Sequence, residues 1–209
     1  RTMWDEARWR GKMPQRRRIV IACDPAVSND PESGSNETGI IVAGVAAIEW
    51  MRRGQKVIED HAFLLDDLSG FHSPDGWANV LVNACRAHQA DLIVAEVNNG
   101  GDLVERNIRT VWSSAPYKAV HATRGKRIRA EPASALFEQT RVHVVGGLPQ
   151  LEDQTCTWSP DSGEPSPDRM DAMVWALTEL MLHDDPVPPR GVARFNRAGA
   201  GGFVWKGGV

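Results

Sequence analysis

Short apolar runs separated by turns open this chain. The first run, residues 19–23, is entirely apolar and is followed by Asp24, which predicts a buried strand that ends at a carboxylate. Apolar patterns over residues 38–48 and 57–65, with a turn at Gly54, predict two further strands that pair antiparallel. The chain therefore begins as a β-β-β unit.

After this unit the pattern changes to alternating helices and strands. Apolar side chains at helical spacing predict a helix over residues 74–88. Residues 91–96 then predict a buried strand that ends at Glu96, followed by a glycine-containing turn at 98–101 and a helix over 102–111. This order of strand, acid, turn and helix is typical of an α/β protein. Further strands are predicted over residues 117–121 and 141–145, and further helices over 126–139 and 148–158.

The last predicted helix begins near Pro167, with Ser166 as its N-cap. Asp168 and Asp171 share one face of this helix, whose other faces are almost entirely apolar. Burial of an unpaired carboxylate is costly, so a cation must meet these acids. The simplest interpretation is that they favour the helix dipole and pair with Arg169 or another base.

Length and composition restrict the class of protein. A chain of 209 residues with 42% hydrophobic content is long enough for one core with appendages. The net charge of −3 disfavours general attraction to DNA, so a nucleic-acid role requires local basic surface and metal ions. Neither a long apolar run nor a signal-peptide pattern occurs, which favours the cytoplasm and no membrane partner. The three cysteines are widely spaced and predict reduced thiols, at Cys23, Cys85 and Cys156.

Three carboxylates follow or begin buried elements, at Asp24, Glu96 and Asp171. If the first and fourth strands are adjacent and parallel, their ends meet at one edge of the sheet, and the last helix can reach the same edge. Clustered carboxylates repel each other unless cations lie between them, and oxygen ligands with few histidines suit Mg²⁺ or Mn²⁺. Two such ions can support phosphodiester hydrolysis. Taken singly, each acid could instead be a turn former, a strand-end salt bridge or a dipole partner.

Several ordered motifs together resemble a known family over residues 18–182. The chain is similar to the nuclease domain of the large terminase subunit of tailed bacteriophages. The motifs that carry this resemblance lie at residues 21–26, 37–40, 95–102, 129–132, 151–154 and 166–172.

The resemblance implies an RNase H-like fold for residues 18–184, an α/β fold with three antiparallel strands followed by parallel strands and with helices on both faces. Residues 1–17 would be a connector from an N-terminal ATPase domain that this sequence does not contain. The composition of residues 185–209, rich in Pro, Gly and Arg, predicts a flexible tail. Since Gly-x-x-x-x-Gly-Lys-Ser/Thr does not occur in the sequence, this chain is not expected to hydrolyse ATP.

The resemblance also implies an activity, a metal dependence and partners. The family's domain is a two-metal endonuclease that cuts concatemeric double-stranded viral DNA in the cytoplasm of the infected bacterial host. By matching position, Asp24, Glu96 and Asp171 are the expected catalytic metal ligands for two Mg²⁺ or Mn²⁺ ions. Asp168 could bind the second ion, accept from a base or cap the helix. The implied protein partners are the terminase ATPase domain, the small terminase subunit and the portal.

Basic residues between positions 106 and 129 are candidates for DNA phosphate binding. Lys126 and Arg129 match the family's Gly-Lys-x-x-Arg stretch, and Arg124 and Arg127 flank them. A solvated basic face is the alternative for each of these residues. The tryptophans favour packing over base stacking, and the six histidines do not group at metal-ligand spacing.

Two rival functions fit parts of the sequence. A Holliday-junction resolvase with the same fold would share the acids and differ in its substrate. A non-catalytic docking module would use the acids structurally and bind DNA or the portal, with the tail as a plausible portal contact.

Overall fold

A computed structural model of the chain describes residues 2–25, 37–97, 101–122, 126–159 and 167–182. Its helices are α1 (Thr2–Ala7), α2 (Pro74–Ala87), α3 (Gly101–Val111), α4 (Lys126–Glu138), α5 (Pro149–Thr157) and α6 (Asp168–Met181). Its strands are β1 (Arg18–Asp24), β2 (Glu37–Arg52), β3 (Gln55–Asp67), β4 (Gly70–Phe71), β5 (Leu92–Glu96), β6 (Tyr117–Val120) and β7 (Val142–Val144). In the described part of the chain, none of the helices has the length and apolar character needed to span a membrane.

The strands form a mixed sheet in the order β6-β5-β1-β2-β3-β7. β1, β2 and β3 pair antiparallel, β5 and β6 continue parallel from β1, and β7 lies parallel to β3. The condition set for the acids to meet, that the first strand and the strand ending at Glu96 are adjacent and parallel, is therefore fulfilled. β4 was not predicted, because two residues that pair with the start of β2 are too short to show a period.

Helices cover both faces of this sheet, as predicted. The side chains of β1 therefore alternate between two cores. Val20 and Ala22 belong to the larger core, which also contains residues of α1, α4, α5 and α6. Ile21 and Cys23 belong to the smaller core, formed with α2 and α3. Burial on both faces explains why the β1 sequence is apolar throughout instead of alternating with polar residues.

The β2–β3 hairpin extends beyond both cores. Its strands pair up to a two-residue turn at Arg53 and Gly54, whose φ angles are 50° and 78°. Near the turn Met51 and Ile58 are 62% and 77% exposed. The predicted strands were shorter, since this outer part has no buried face and so gives no burial period in the sequence.

The N-terminal segment packs on the larger core, and the connector role expected for residues 1–17 stays a prediction. Trp4 and Ala7 are buried members of that core. The backbone N–H of Trp9 donates to the carbonyl oxygen of Val144 at 2.8 Å, which adds the segment beside β7. A large aromatic side chain buries enough apolar area to hold a short, charged segment against the domain.

The start of α6 also differs slightly from its prediction. The helix begins at Asp168, and Pro167 is its N-cap with an extended backbone. Ser166, predicted as the cap, lies outside the described residues.

All three cysteines are free thiols. Cys23 and Cys85 are buried, and burial raises the pKa of both thiols, so they are inert core residues. Cys156 is half-buried at the edge of the larger core.

Two buried histidines join the hairpin to β7. Nδ1 of His61 and Nε2 of His143 are 2.9 Å apart, in a hydrogen bond buried among aromatic rings that include Trp9 and Trp50. Burial lowers the pKa of both rings, and His61 adds repulsion that helps to bring the pKa of His143 to about 4. The pair is therefore neutral in the folded protein near neutral pH.

This pair predicts a loss of stability in mild acid. The unfolded chain takes up a proton on His143 near pH 6.5, whereas the folded chain does so only near pH 4. The stabilisation is therefore complete above pH 6.5 and is lost as the pH falls towards 4, by up to about 3 kcal/mol. Urea unfolding at a series of pH values measures this effect.

A glutamine at position 143 keeps a polar atom near Nε2 but does not titrate. We expect His143→Gln to flatten the dependence of unfolding free energy on pH, and His121→Gln, at an exposed position, to leave it unchanged. Equal slopes for His143→Gln and the unmodified protein would contradict this assignment.

Candidate functional site

Two parallel strands bring Asp24 and Glu96 to one edge of the sheet. In their register Cys23 is opposite Ala95, so the two acids come next, each at the carboxyl end of its strand. Glu96 is 6% exposed and Asp24 is half-buried. Sequence reasoning predicted this juxtaposition, and the pairing of β1 with β5 confirms it at the level of the backbone.

Gly39 of β2 contacts the first turn of α6 at the same edge of the sheet. Gly39 pairs with Asp24 across the antiparallel ladder. A Cβ atom at Gly39 would lie 2.0 Å from the carbonyl oxygen of Asp168, so the helix backbone rests directly on the strand. Any larger residue would have to displace the helix, which makes Gly39 the contact that sets the height of α6 above Asp24.

Two turns after Asp168, α6 contacts Glu96. The indole Nε1 of Trp175 donates to Oε2 of Glu96 at 2.5 Å. Asp171 lies three residues after Asp168 and four before Trp175, so the three share one side of the helix. Asp171 is 3% exposed. The acid-bearing ends of β1 and β5 and the first turns of α6 therefore converge.

A buried guanidinium fixes the start of α6. Nη1 of Arg169 donates to both carboxylate oxygens of Asp67 at 2.9 Å, and Nη2 bonds to Glu37. Glu37 in turn accepts from Gln154 of α5 at 3.1 Å. The sequence suggested that Arg169 could pair with acids of its own helix, but its guanidinium is directed to the ends of β2 and β3. The network ties α6 and α5 to the sheet.

The donor chemistry at this edge fits a hard divalent cation, since the acids at Asp24, Glu96 and Asp171 offer only carboxylate oxygens. Within the described residues, however, the structure gathers no group of three or more His, Cys, Asp or Glu side chains in an arrangement that could hold a metal ion. Without a cation the carboxylates repel each other, and Glu96 accepts hydrogen bonds from Arg129 and Trp175. The ligand roles of these three acids and of Asp168 therefore stay predictions.

Arg129 contacts Glu96 instead of standing free on the surface. Its Nη1 donates to Oε2 of Glu96 at 3.1 Å, and its side chain is 11% exposed. The guanidinium carbon lies 4.9 Å from the centre of the Trp175 ring. Sequence reasoning proposed a phosphate contact for Arg129 and packing for Trp175, and it missed their shared bond to Glu96. Glu96 is 33 positions from Arg129 and 79 positions from Trp175, and no local sequence pattern indicates contacts over such separations.

Other cations of the basic segment are also paired with acids. Lys118 donates to Glu179 at 2.7 Å, and Arg109 donates to Glu105 at 2.8 Å. These pairs reduce the positive charge that the linear sequence suggested. Arg124 lies outside the described residues, as do the side chains of Lys126 and Arg127, so their DNA contacts stay predictions.

The family model for the terminase RNaseH-like domain matches residues 21–180 of this chain. A comparison with curated proteins finds no match.

Several solved structures have similar folds. The nuclease domain of the P22 large terminase has a TM-score of 0.58 and 11% identity, covering 86% of this chain and 89% of that one. A mutant nuclease domain of the large terminase subunit gp2 of virus Sf6, with manganese and beta-thujaplicinol, has a TM-score of 0.53 and 14% identity, covering 84% and 95%. The HK97 large terminase has a TM-score of 0.54 and 13% identity, covering 85% of this chain and 42% of that longer protein. The fold predicted from the sequence, an RNase H-like mixed sheet, is confirmed.

The Gly39 contact predicts a sensitive position. Gly39→Ala places a methyl group against the α6 backbone, which cannot rotate away as a side chain could. We expect a loss of about 1–3 kcal/mol in unfolding free energy, measured by urea titration. Gly147→Ala is the matched control, because nothing lies within 4 Å of a Cβ atom there. Equal stability of the two variants would show that α6 can shift without cost.

The Arg169 network predicts a larger loss. Arg169→Gln leaves the carboxylates of the half-buried residues Asp67 and Glu37 without their buried cation, which we expect to cost about 3–5 kcal/mol. Arg52→Gln breaks an exposed pair with Glu59, and it should cost no more than about 1 kcal/mol. Thermal and urea unfolding of both variants measures the difference, and a small effect of Arg169→Gln would mean that the acids find another partner.

Proposed function

Because the chain belongs to the terminase RNaseH-like domain family, we propose that it is the nuclease domain of a viral DNA-packaging terminase large subunit. Its proposed reaction is the metal-dependent endonucleolytic hydrolysis of concatemeric double-stranded DNA. The observation that carries the proposal is the convergence of Asp24, Glu96 and the first turns of α6 at one sheet edge. Glu96 and Asp171 are buried and Asp24 is half-buried, and acids brought together from three separate elements are typical of functional sites.

In this proposal Asp24, Glu96 and Asp171 hold two Mg²⁺ or Mn²⁺ ions, and Asp168 is a candidate ligand of the second. When bound, such ions supply activation of a water molecule and charge stabilisation at the leaving 3′-oxygen. The similar Sf6 domain, which was solved with manganese, supports this choice of ion.

The chain itself contributes rigid placement of the acids. Each comes from a strand end or a helix turn, and such elements position side chains more accurately than loops do. Arg169 holds the first turn of α6, while burial restricts the side-chain conformations of Asp171. A fixed distance between carboxylates lowers the reorganisation needed when cations and substrate arrive.

DNA binding is proposed to be weak and sensitive to salt. The net charge is −3, and ion pairs with acids engage Arg109, Lys118 and Arg129. Phosphate contacts are proposed for Lys126 and its neighbours Arg124 and Arg127, with a further contribution from Arg129. The ATPase domain, the small terminase subunit and the portal would present the DNA to this domain in the cytoplasm of the infected host. ATP hydrolysis is assigned to that partner domain, since this sequence has no P-loop motif.

Asparagine substitutions test the proposed ligands. We expect Asp24→Asn and Asp171→Asn to reduce cleavage of linear duplex DNA in Mn²⁺ by more than about 100-fold, because the amide keeps the shape but loses the charge. EDTA should abolish cleavage by the unmodified protein. Supercoiled and linear plasmid assays measure the rates, and circular dichroism confirms that the variants fold.

Asp75→Asn is the matched control for helix electrostatics, because Asp75 occupies the first turn of α2 as Asp171 occupies that of α6. Its cleavage rate should equal that of the unmodified protein. Undiminished cutting by both Asp24→Asn and Asp171→Asn would refute the proposal. Strong preference for four-way junctions over linear duplex would assign the site to a junction resolvase instead.

A further inference from the structure

The carboxylate of Glu96 is held by two donors from different helices. Nε1 of Trp175 on α6 and Nη1 of Arg129 on α4 both donate to the same oxygen, Oε2, at 2.5 and 3.1 Å. Both donors engage one oxygen, so neither competes for Oε1. A buried carboxylate with one oxygen fixed in this way has a restricted orientation.

The two donors also support each other. The guanidinium of Arg129 lies over the Trp175 ring, with its carbon 4.9 Å from the ring centre. Stacking of this kind limits the movement of both side chains and is strengthened by burial. Glu96, Arg129 and Trp175 therefore form a closed triangle of contacts, referred to below as the Glu96 clamp.

A second Arg–Trp pair in the same molecule shows what the clamp adds. Arg86 lies over the ring of Trp112 at 5.3 Å, and the indole of Trp112 donates to the hydroxyl of Ser114 at 3.0 Å. Stacking thus occurs twice, but in the Glu96 clamp both members also bond to a carboxylate at the edge where the acids converge. Packing alone accounts for both stacked pairs, but it does not account for the hydrogen bonds of Arg129 and Trp175 to the same oxygen of Glu96.

Charge gives the clamp a further role. Asp24 and Asp171 belong to the same edge as Glu96, and their mutual repulsion disfavours an ordered arrangement. The positive charge of Arg129 offsets the charge of Glu96 within the folded chain. The clamp can therefore hold Glu96 in place before a cation binds.

We propose that Arg129 and Trp175 are positioning residues that fix Glu96 by Oε2 and thereby offer Oε1 to a divalent cation. This inference rests on the proposed function, since it assumes that Glu96 is a metal ligand. Outer partners of this kind orient a ligand, and their loss weakens metal binding or activity by about 10- to 100-fold.

A spectroscopic test does not depend on activity. In ¹H–¹⁵N spectra of the full chain, the indole resonance of Trp175, assigned by its absence from Trp175→Phe, should lie downfield because its N–H donates to a carboxylate. It should move on titration with Mg²⁺ and in the Glu96→Gln variant, whereas the Trp112 indole should not move. A Trp175 resonance that responds neither to Mg²⁺ nor to Glu96→Gln would overturn the inference.

Metal binding provides the second test. We expect Trp175→Phe, which keeps the ring but loses the donor, to weaken Mn²⁺ binding about 10-fold or more by calorimetry and to raise the Mn²⁺ concentration for half-maximal cleavage equally. Trp112→Phe, the matched control, should change neither. Unchanged Mn²⁺ affinity in a folded Trp175→Phe would overturn the inference, although the unmodified protein would still cut DNA.

A third test distinguishes positioning of Glu96 by Arg129 from binding of DNA phosphate, because a phosphate contact is also predicted for Arg129. Positioning predicts that Arg129→Gln lowers kcat at saturating DNA about 10-fold and shifts the Trp175 indole resonance. Arg129→Lys, which keeps the charge but stacks less well, should recover part of kcat. A rise in KM alone, with the indole resonance unmoved, would assign Arg129 to DNA and refute its role in the clamp. Failure of the unmodified protein to cut with any metal would refute the proposed nuclease, whereas the Mg²⁺ titration of the Trp175 indole would still test the clamp.

Discussion

The buried guanidinium of Arg169 is the interaction on which the arrangement of this domain depends. It sits at the start of α6, where a charge without partners would be too costly to bury. Asp67 and Glu37, at the ends of two neighbouring strands, supply those partners. Because the cost of breaking these bonds is high, the first turn of α6 has one position over the sheet.

The other end of α6 is fixed in a similar way. Glu179 accepts from Arg18 at 2.5 Å and from Lys118 at 2.7 Å. Burial alone would raise the pKa of Glu179, but the hydrogen bonds and charges of Lys118 and Arg18 outweigh it and lower that pKa. The apolar middle of the helix packs on the sheet between these two charged anchors. The residues between these two anchors, including Asp171, therefore have a defined orientation.

Local sequence patterns were sufficient for the parts of the fold that depend on burial. The apolar run before Asp24 and the one before Glu96 predicted the two strands that the structure pairs in parallel, and the apolar pattern after Pro167 predicted α6. The outer β2–β3 hairpin was underestimated because exposed strands have no burial period. At the candidate site, the elements could be predicted, but the partners of Glu96 could not. Arg129 and Trp175 reach it across 33 and 79 positions, and side-chain bonds over such separations depend on the completed packing.

Gly39 couples two parts of the candidate site, the end of β1 and the first turn of α6. It pairs with Asp24 along the sheet, and it supports the backbone of Asp168 above the sheet. A side chain here would press on the backbone of Asp168 and so alter its separation from Asp24. The spacing of the acids at this edge therefore depends on a residue that has no side chain. Redesign of this domain for a different cation would begin with the gap between β2 and α6.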